Sequence, residues 1–174
     1  DFIDNSFKTT LAENRSVDYY TNDNIVAGIY KMAINGFENS LFTYNIANKM
    51  TTSLWIKNVV FAILILLFAV FGYNNAFILL IQLSLPILLL QQAIKQTMFV
   101  YRIKRVYENY RRLYNDLRNE SDSKLKRPEI LLNVLDYETT LTYGAILLDS
   151  DIYKKLNPEL STKWNQMKSE YNLE

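Results

Sequence analysis

The sequence contains neither cysteine nor histidine among its 174 residues. Their absence excludes disulfides, thiol nucleophiles, thiolate and imidazole metal sites, and the side chain that usually shuttles protons near neutral pH. Only carboxylates, lysine, tyrosine, serine and threonine remain for chemistry, and no calcium-loop spacing or glycine-rich phosphate loop is present. We therefore expect a protein that is not an enzyme, with no catalytic residue, metal site or cofactor.

Charged residues are absent from positions 58 to 94. Two apolar runs fill most of this region, VVFAILILLFAVFGY and NNAFILLIQLSLPILLL, and the GYNN sequence between them is typical of a turn. Each run corresponds to about 22 Å of helix, less than the ~30 Å hydrocarbon core, but extension back to Leu54 and on to Phe99 is enough to span it. The pattern predicts a transmembrane helical hairpin over residues 54–99; the alternative is a buried hairpin in a soluble helical protein.

Basic residues flank this hairpin at its two outer ends and are absent from the turn. Because lysine and arginine accumulate on the cytoplasmic side, both termini are expected in the cytoplasm and the hairpin in the inner (cytoplasmic) membrane. The flanking residues are Lys49, Lys57, Arg102, Lys104 and Arg105.

The remaining chain predicts an all-α membrane protein in which helical segments surround the hairpin. Residues 1–53 are a polar N-terminal cytoplasmic region that ends in an amphipathic helix. Neither glycine nor proline interrupts the chain from Ile87 to Arg127, so the second membrane helix should continue into the cytoplasm over residues 100–118. The polar linker 119–127 then leads to a small C-terminal helical unit, residues 128–174.

A polar stripe follows one face of the second membrane helix. At 100° per residue, Ser84, Gln91 and Lys95 share this face and Arg102 continues it. Such a stripe can line a pore made by several copies, or can form hydrogen bonds between packed helices. The pore requires a homo-oligomer, with a tetramer as the first hypothesis, and Pro86 is a natural hinge within the helix.

The stretch FVYRIKRVYENYRRLYND, residues 99–116, alternates basic and aromatic residues. Its aromatic residues predict a packing seam, because they share one helical face. Its basic residues flank the seam and allow three interpretations: a collar on anionic lipid headgroups, a site for a phosphate-rich ligand, or a face that is solvated or docks the acidic C-terminal part. The seam comprises Ile103, Tyr107, Tyr110, Tyr114 and Leu117, and the phosphate site would use Arg105, Arg111, Arg112 and Arg118.

This layout, together with LLNVLDYETTLTYGAILLDSDIYKKLNPELSTKW from Leu131 to Trp164, resembles a group of small membrane effectors. They are encoded beside nucleotidyltransferases in bacterial anti-phage operons, and include SLATT-type two-helix effectors and the membrane subunit of the Hailong system. The resemblance implies an oligomer that stays closed in healthy cells and permeabilises the membrane during infection. It also implies control by a nucleotide or short oligonucleotide, with a nucleotidyltransferase encoded nearby as a partner.

Two functions follow as hypotheses. The first is an oligomeric membrane channel, gated by a phosphate-rich cytoplasmic ligand, in anti-phage defence. The second is a non-conducting membrane anchor or scaffold whose cytoplasmic helices recruit a partner protein. They differ in whether Gln91 and Lys95 are needed for activity.

Overall fold

The computed structural model describes residues 2–11, 22, 24–71, 76–119 and 127–173, and within these the side chains other than those of 69–71, 76–83, 85, 118 and 119. All regular structure in this part of the chain is helical, as the sequence predicted. The predicted GYNN turn and most of the predicted linker lie outside the described residues. The helices are α1 (Phe2–Phe7), α2 (Ile29–Phe71), α3 (Ala76–Asn119), α4 (Arg127–Gly144) and α5 (Ser150–Tyr171).

The two long helices, α2 and α3, pack side by side in antiparallel directions. Near the middle of α2, the Trp55 indole N–H donates to the Thr97 hydroxyl at 3.0 Å. Further along, the Asn58 side-chain amide donates to the Leu89 carbonyl at 3.4 Å. Residue numbers on α3 therefore decrease as those on α2 increase, as expected for antiparallel helices. With 43 and 44 residues, each helix is about 65 Å long.

One half of each long helix belongs to a bundle with α4 and α5. The ring of Phe37 on α2 lies at its centre, with five other aromatic rings at centroid distances of 5.2 to 6.0 Å. The predicted packing seam is confirmed, since all of its members are buried except Leu117, which is half-buried. The five rings belong to Tyr107, Tyr110, Tyr114, Trp164 and Tyr171.

The other halves of α2 and α3 have a different surface. Large apolar side chains here point outward instead of into a core: Leu66 and Phe68 on α2 are each 64% exposed, and Ile87 on α3 is 63% exposed. By length and composition, the segment Ile29–Phe68 of α2 is able to cross a membrane. The molecule is thus divided along its long axis into a bundle with a buried core and an apolar part without one.

Glycine allows α4 to end against α3. A methyl group on Gly144 would overlap the Phe99 ring, which is itself buried. The helix stops here, and Ala145 takes a left-handed conformation with φ of 45°. This packing places the end of α4 beside residue 99, at the junction between the bundle and the apolar part.

Candidate functional site

Two of the predicted phosphate-binding arginines line one surface cavity in the bundle. Arg111 and Arg112 follow the buried Tyr110 on α3, so both side chains leave the core toward solvent. The end of α5 closes the other side with Glu170 and Tyr171. The cavity measures about 490 Å³, and its remaining lining residues are Glu108 and Asn115.

The surroundings hold Arg111 in its charged form. Hydrogen bonding to the Tyr171 side chain raises the pKa of Arg111, and this outweighs the opposing effect of burial. The guanidinium carbon also lies 6.0 Å from the centroid of the Tyr107 ring, within cation–π range. Arg112 donates to the Asn109 side-chain oxygen at 2.5 Å. Both guanidinium groups are therefore oriented by neighbours before any ligand arrives.

The cavity is less basic than the sequence suggests. Glu108 and Glu170 line it beside the two arginines, so the four charges sum to zero. The carboxylate of Glu108 is partly offset by Lys104, whose ammonium lies 3.7 Å away. An anionic ligand would gain two guanidinium partners but would also approach Glu170.

The other two arginines of the predicted site are not brought to this cavity. The Arg105 guanidinium lies 3.9 Å from the Asp136 carboxylate on α4, an exposed pair that is worth at most about 1 kcal/mol. The side chain of Arg118 lies outside the described residues. Arg111 and Arg112 therefore line the same cavity, whereas Arg105 pairs with Asp136 on α4.

The predicted pore stripe lies on the outer surface of α3. Ser84, Gln91, Lys95 and Arg102 are all exposed, whereas the neighbouring Gln96 is buried. Pro86 lies inside α3, and the helix continues through it. In the single chain, the stripe forms a polar line on a surface where large apolar side chains such as Ile87 and Leu88 are also exposed.

A buried polar cluster on α2 was not predicted from the sequence. The side-chain amide of Asn22 donates to Asn35 at 3.0 Å and to the Glu38 carboxylate at 2.7 Å. Asn35 donates in turn to Asn5, in α1, at 2.9 Å. Lys31 is also buried, and Lys31, Asn35 and Glu38 follow an i, i+4, i+7 spacing on one face of α2. This polar spacing is the sequence signal that could have predicted the cluster. The cluster fastens the N-terminal segment onto α2.

Comparison of the chain with protein-family models, with curated proteins and with solved structures gives no match. Among the described residues, no group of acidic side chains is arranged to hold a metal ion. Function is therefore inferred from residues, burial and charge.

Proposed function

We propose that this chain forms an oligomeric channel in the inner membrane, regulated by a phosphate-rich ligand on the cytoplasmic side. The apolar halves of α2 and α3 cross the membrane as a hairpin over residues 54–99, and the bundle with both termini lies in the cytoplasm. The outward-facing apolar side chains of both halves support this arrangement, because a surface of this kind is unfavourable in water. The indole of Trp55 suits the interface at its boundary.

The polar stripe is the observation on which the channel depends. Gln91 lies eight residues before Phe99, or about 12 Å inside the proposed boundary by helix rise. Polar side chains at such depth are costly against lipid and usually face a bundle interior or water. Several copies arranged with their α3 stripes inward remove Gln91 and Lys95 from lipid and surround a polar path. A tetramer remains the first hypothesis for the number of copies.

The cavity of Arg111 and Arg112 is the proposed site of regulation. Two neighbouring guanidinium groups suit the geometry of phosphate oxygens, and their prior orientation reduces the entropy cost of binding. Because α3 is continuous from this cavity to Pro86, a ligand that favours one position of α3 would alter the stripe. Gating requires different affinities for the open and closed states. The resemblance to anti-phage effectors makes a nucleotide or short oligonucleotide the proposed ligand.

Ion flux through liposomes containing the purified chain tests this proposal. The double variant Gln91→Leu/Lys95→Leu should change flux several-fold, because both polar groups leave the stripe. Gln92→Leu is the matched control, since Gln92 is also exposed but lies about 100° away around the helix. Flux identical in all three proteins would show that the α3 stripe does not line the conducting path. Absence of flux, with or without a labelled oligonucleotide, would exclude the channel.

A further inference from the structure

The loop between α4 and α5, residues 145–149, lies at the boundary of the proposed membrane span. Gly144 packs directly on the Phe99 ring at one end of this loop. At its other end, the Asp149 backbone N–H approaches the Met50 sulfur at 3.4 Å. Interactions with two different helices therefore fix the loop at the level where α2 and α3 leave the bundle.

Large apolar side chains at this level point away from the protein. Leu147 in the loop is 92% exposed, the highest value among the large apolar residues that the structure describes. Tyr143 at the end of α4 is 78% exposed, and Tyr101 on α3 is 72% exposed. Tyrosine is enriched at membrane interfaces, where its ring touches apolar groups and its hydroxyl stays in water.

Basic residues accompany this apolar surface. Lys154 and Lys155, in the first turns of α5, are exposed, as is Lys57 on α2. Hydrogen bonds from the backbone N–H groups of Ile152 and Asp151 lower the pKa of Asp149, and the charges of Lys155 and Lys57 contribute to the same shift. Lys57 and Lys155, from segments distant in the chain, are thus close enough to Asp149 to act on it.

We propose that Tyr143, Leu147, Lys154 and Lys155 form a second membrane contact, which docks the bundle onto a surface of anionic lipid headgroups. The inference rests on the proposed membrane span, since that span sets the level of the bilayer. The headgroup region is about 5 to 7 Å thick on each side, and it begins at Phe99, where the proposed span ends. The loop is therefore at headgroup depth, where an inserted leucine and nearby lysines are both favourable.

Docking would also restrain α5 at the end opposite the arginine cavity. The helix begins at Ser150, directly after the loop, and ends at Tyr171, which lines the cavity. A bundle held to the lipid surface at one end of α5 can move at the cavity only by rotation or bending. The lipid contact thus supplies a fixed point for movements of the cytoplasmic helices.

Site-specific fluorescence tests the contact on the full chain, because a sequence without cysteine accepts a single reactive thiol. Three variants, Leu147→Cys, Leu132→Cys and Leu66→Cys, would each be labelled with an environment-sensitive dye and placed in liposomes. Leu132 is the matched control: an exposed leucine on α4, twelve residues before Gly144 and about 18 Å farther from the boundary. Leu66, in the apolar half of α2, reports insertion of the span.

Nitroxide groups on the lipid headgroups should quench the dye at position 147 several-fold more strongly than at 132. Position 66 should show quenching by nitroxides placed on the acyl chains. Quenching at 66 but equal, weak quenching at 147 and 132 would overturn the lipid contact and leave the membrane span intact. Absence of quenching at 66 would overturn the span and, with it, the contact.

Charge provides the second arm of the test. In liposomes with about one quarter anionic phospholipid, Lys154→Gln/Lys155→Gln should reduce quenching at position 147 by about half, because two positive charges that attract the anionic headgroups are lost. In liposomes of phosphatidylcholine alone, the same double substitution should have little effect. Equal quenching in both liposomes, with and without the lysines, would overturn their assignment to the contact.

Discussion

Gly36 on α2 lies directly against the phenol end of Tyr110 on α3, so closely that a methyl group at position 36 would overlap the Tyr110 hydroxyl and ring. Both residues are fully buried, and Phe37 stacks on Tyr110 at a centroid distance of 6.0 Å. This approach brings the two long helices together at the centre of the bundle. Its contribution to stability can be measured with substitutions that add or remove a single heavy atom.

Gly36→Ala should destabilise the bundle by about 1 kcal/mol. Alanine gains about 1 kcal/mol over glycine in a helix, but overpacking a filled core costs about 1 to 3 kcal/mol, and Tyr110 is fully buried. Denaturant unfolding in detergent, followed by tryptophan fluorescence, measures the difference. A stabilised Gly36→Ala protein would show that the ring can shift.

Tyr110→Phe should be neutral or stabilise the bundle by up to about 1 kcal/mol, because an unsatisfied buried hydroxyl is unfavourable. Within the described part of the chain, the buried Tyr110 hydroxyl has no hydrogen-bond partner. The same change removes the atom nearest to Gly36. The cost of Gly36→Ala should therefore be smaller in the Tyr110→Phe background, and additive effects would contradict this relationship.

The two tryptophans should respond differently to the same substitution. Trp164→Ala should lower the stability of the bundle by about 3 to 5 kcal/mol, since its ring is 1% exposed and lies 5.5 Å from Phe37. Trp55→Ala removes a partly exposed ring outside this core and should leave the unfolding midpoint of the bundle nearly unchanged. Midpoints from far-UV circular dichroism test both, and equal decreases would place the core elsewhere.

Asp149 should make α5 less stable in acid. Its side chain caps the helix by accepting from the backbone N–H groups of Asp151 and Ile152 at 2.8 and 3.0 Å, and its pKa lies below the ordinary value of 3.8. The ionised cap therefore stabilises the fold above pH 3.8, and this contribution disappears as the pH falls through the lowered pKa.

Asp149→Ala should accordingly lower the melting temperature by a few degrees at about pH 7, with a smaller difference once the pH has fallen through the lowered pKa of Asp149. Asp149→Asn is the matched control, because asparagine caps a helix without a titrating charge. Thermal scans across the acidic range and up to neutral pH measure the two series. If the melting temperatures of the wild type and Asp149→Ala differ by the same amount at every pH, the charge of Asp149 does not contribute to the cap.

Binding at the arginine cavity should depend on individual charges. Arg111→Gln and Arg112→Gln should each weaken binding of a fluorescent tetranucleotide about tenfold, as expected when a charged hydrogen bond is removed. Glu170→Gln should strengthen it a few-fold, because a carboxylate leaves the cavity. Fluorescence anisotropy at several salt concentrations measures the affinities. The slope of log affinity against log salt should become shallower by about 0.7 for each phosphate that is no longer neutralised.

Arg105→Gln is the control for these variants, since Arg105 is paired with Asp136 away from the cavity. It should change affinity less than about twofold, as expected for an exposed charge outside the site. A decrease equal to that of Arg111→Gln would mean that the ligand binds along the whole basic face of α3. Weakened binding in Glu170→Gln would exclude the cavity as the site.

Local sequence pattern was sufficient to predict the all-helical fold class and the packing seam of α3. Tyr107, Tyr110 and Tyr114 repeat at spacings of three and four, and a periodic apolar face must be buried by any stable helical packing. The uncharged region also predicted a long apolar helix, and α2 contains a segment that is able to cross a membrane by length and composition.

Tertiary structure decided which of the charged residues meet. Arg105, Arg111 and Arg112 are equivalent in type and close in sequence, yet α4 pairs the first with Asp136 while α5 closes a cavity over the other two. The close approach of Gly36 to Tyr110 and that of Gly144 to Phe99 likewise depend on packing between distant segments. Sequence by itself determined periodicity and polarity, which are local, whereas proximity between helices required the packed fold.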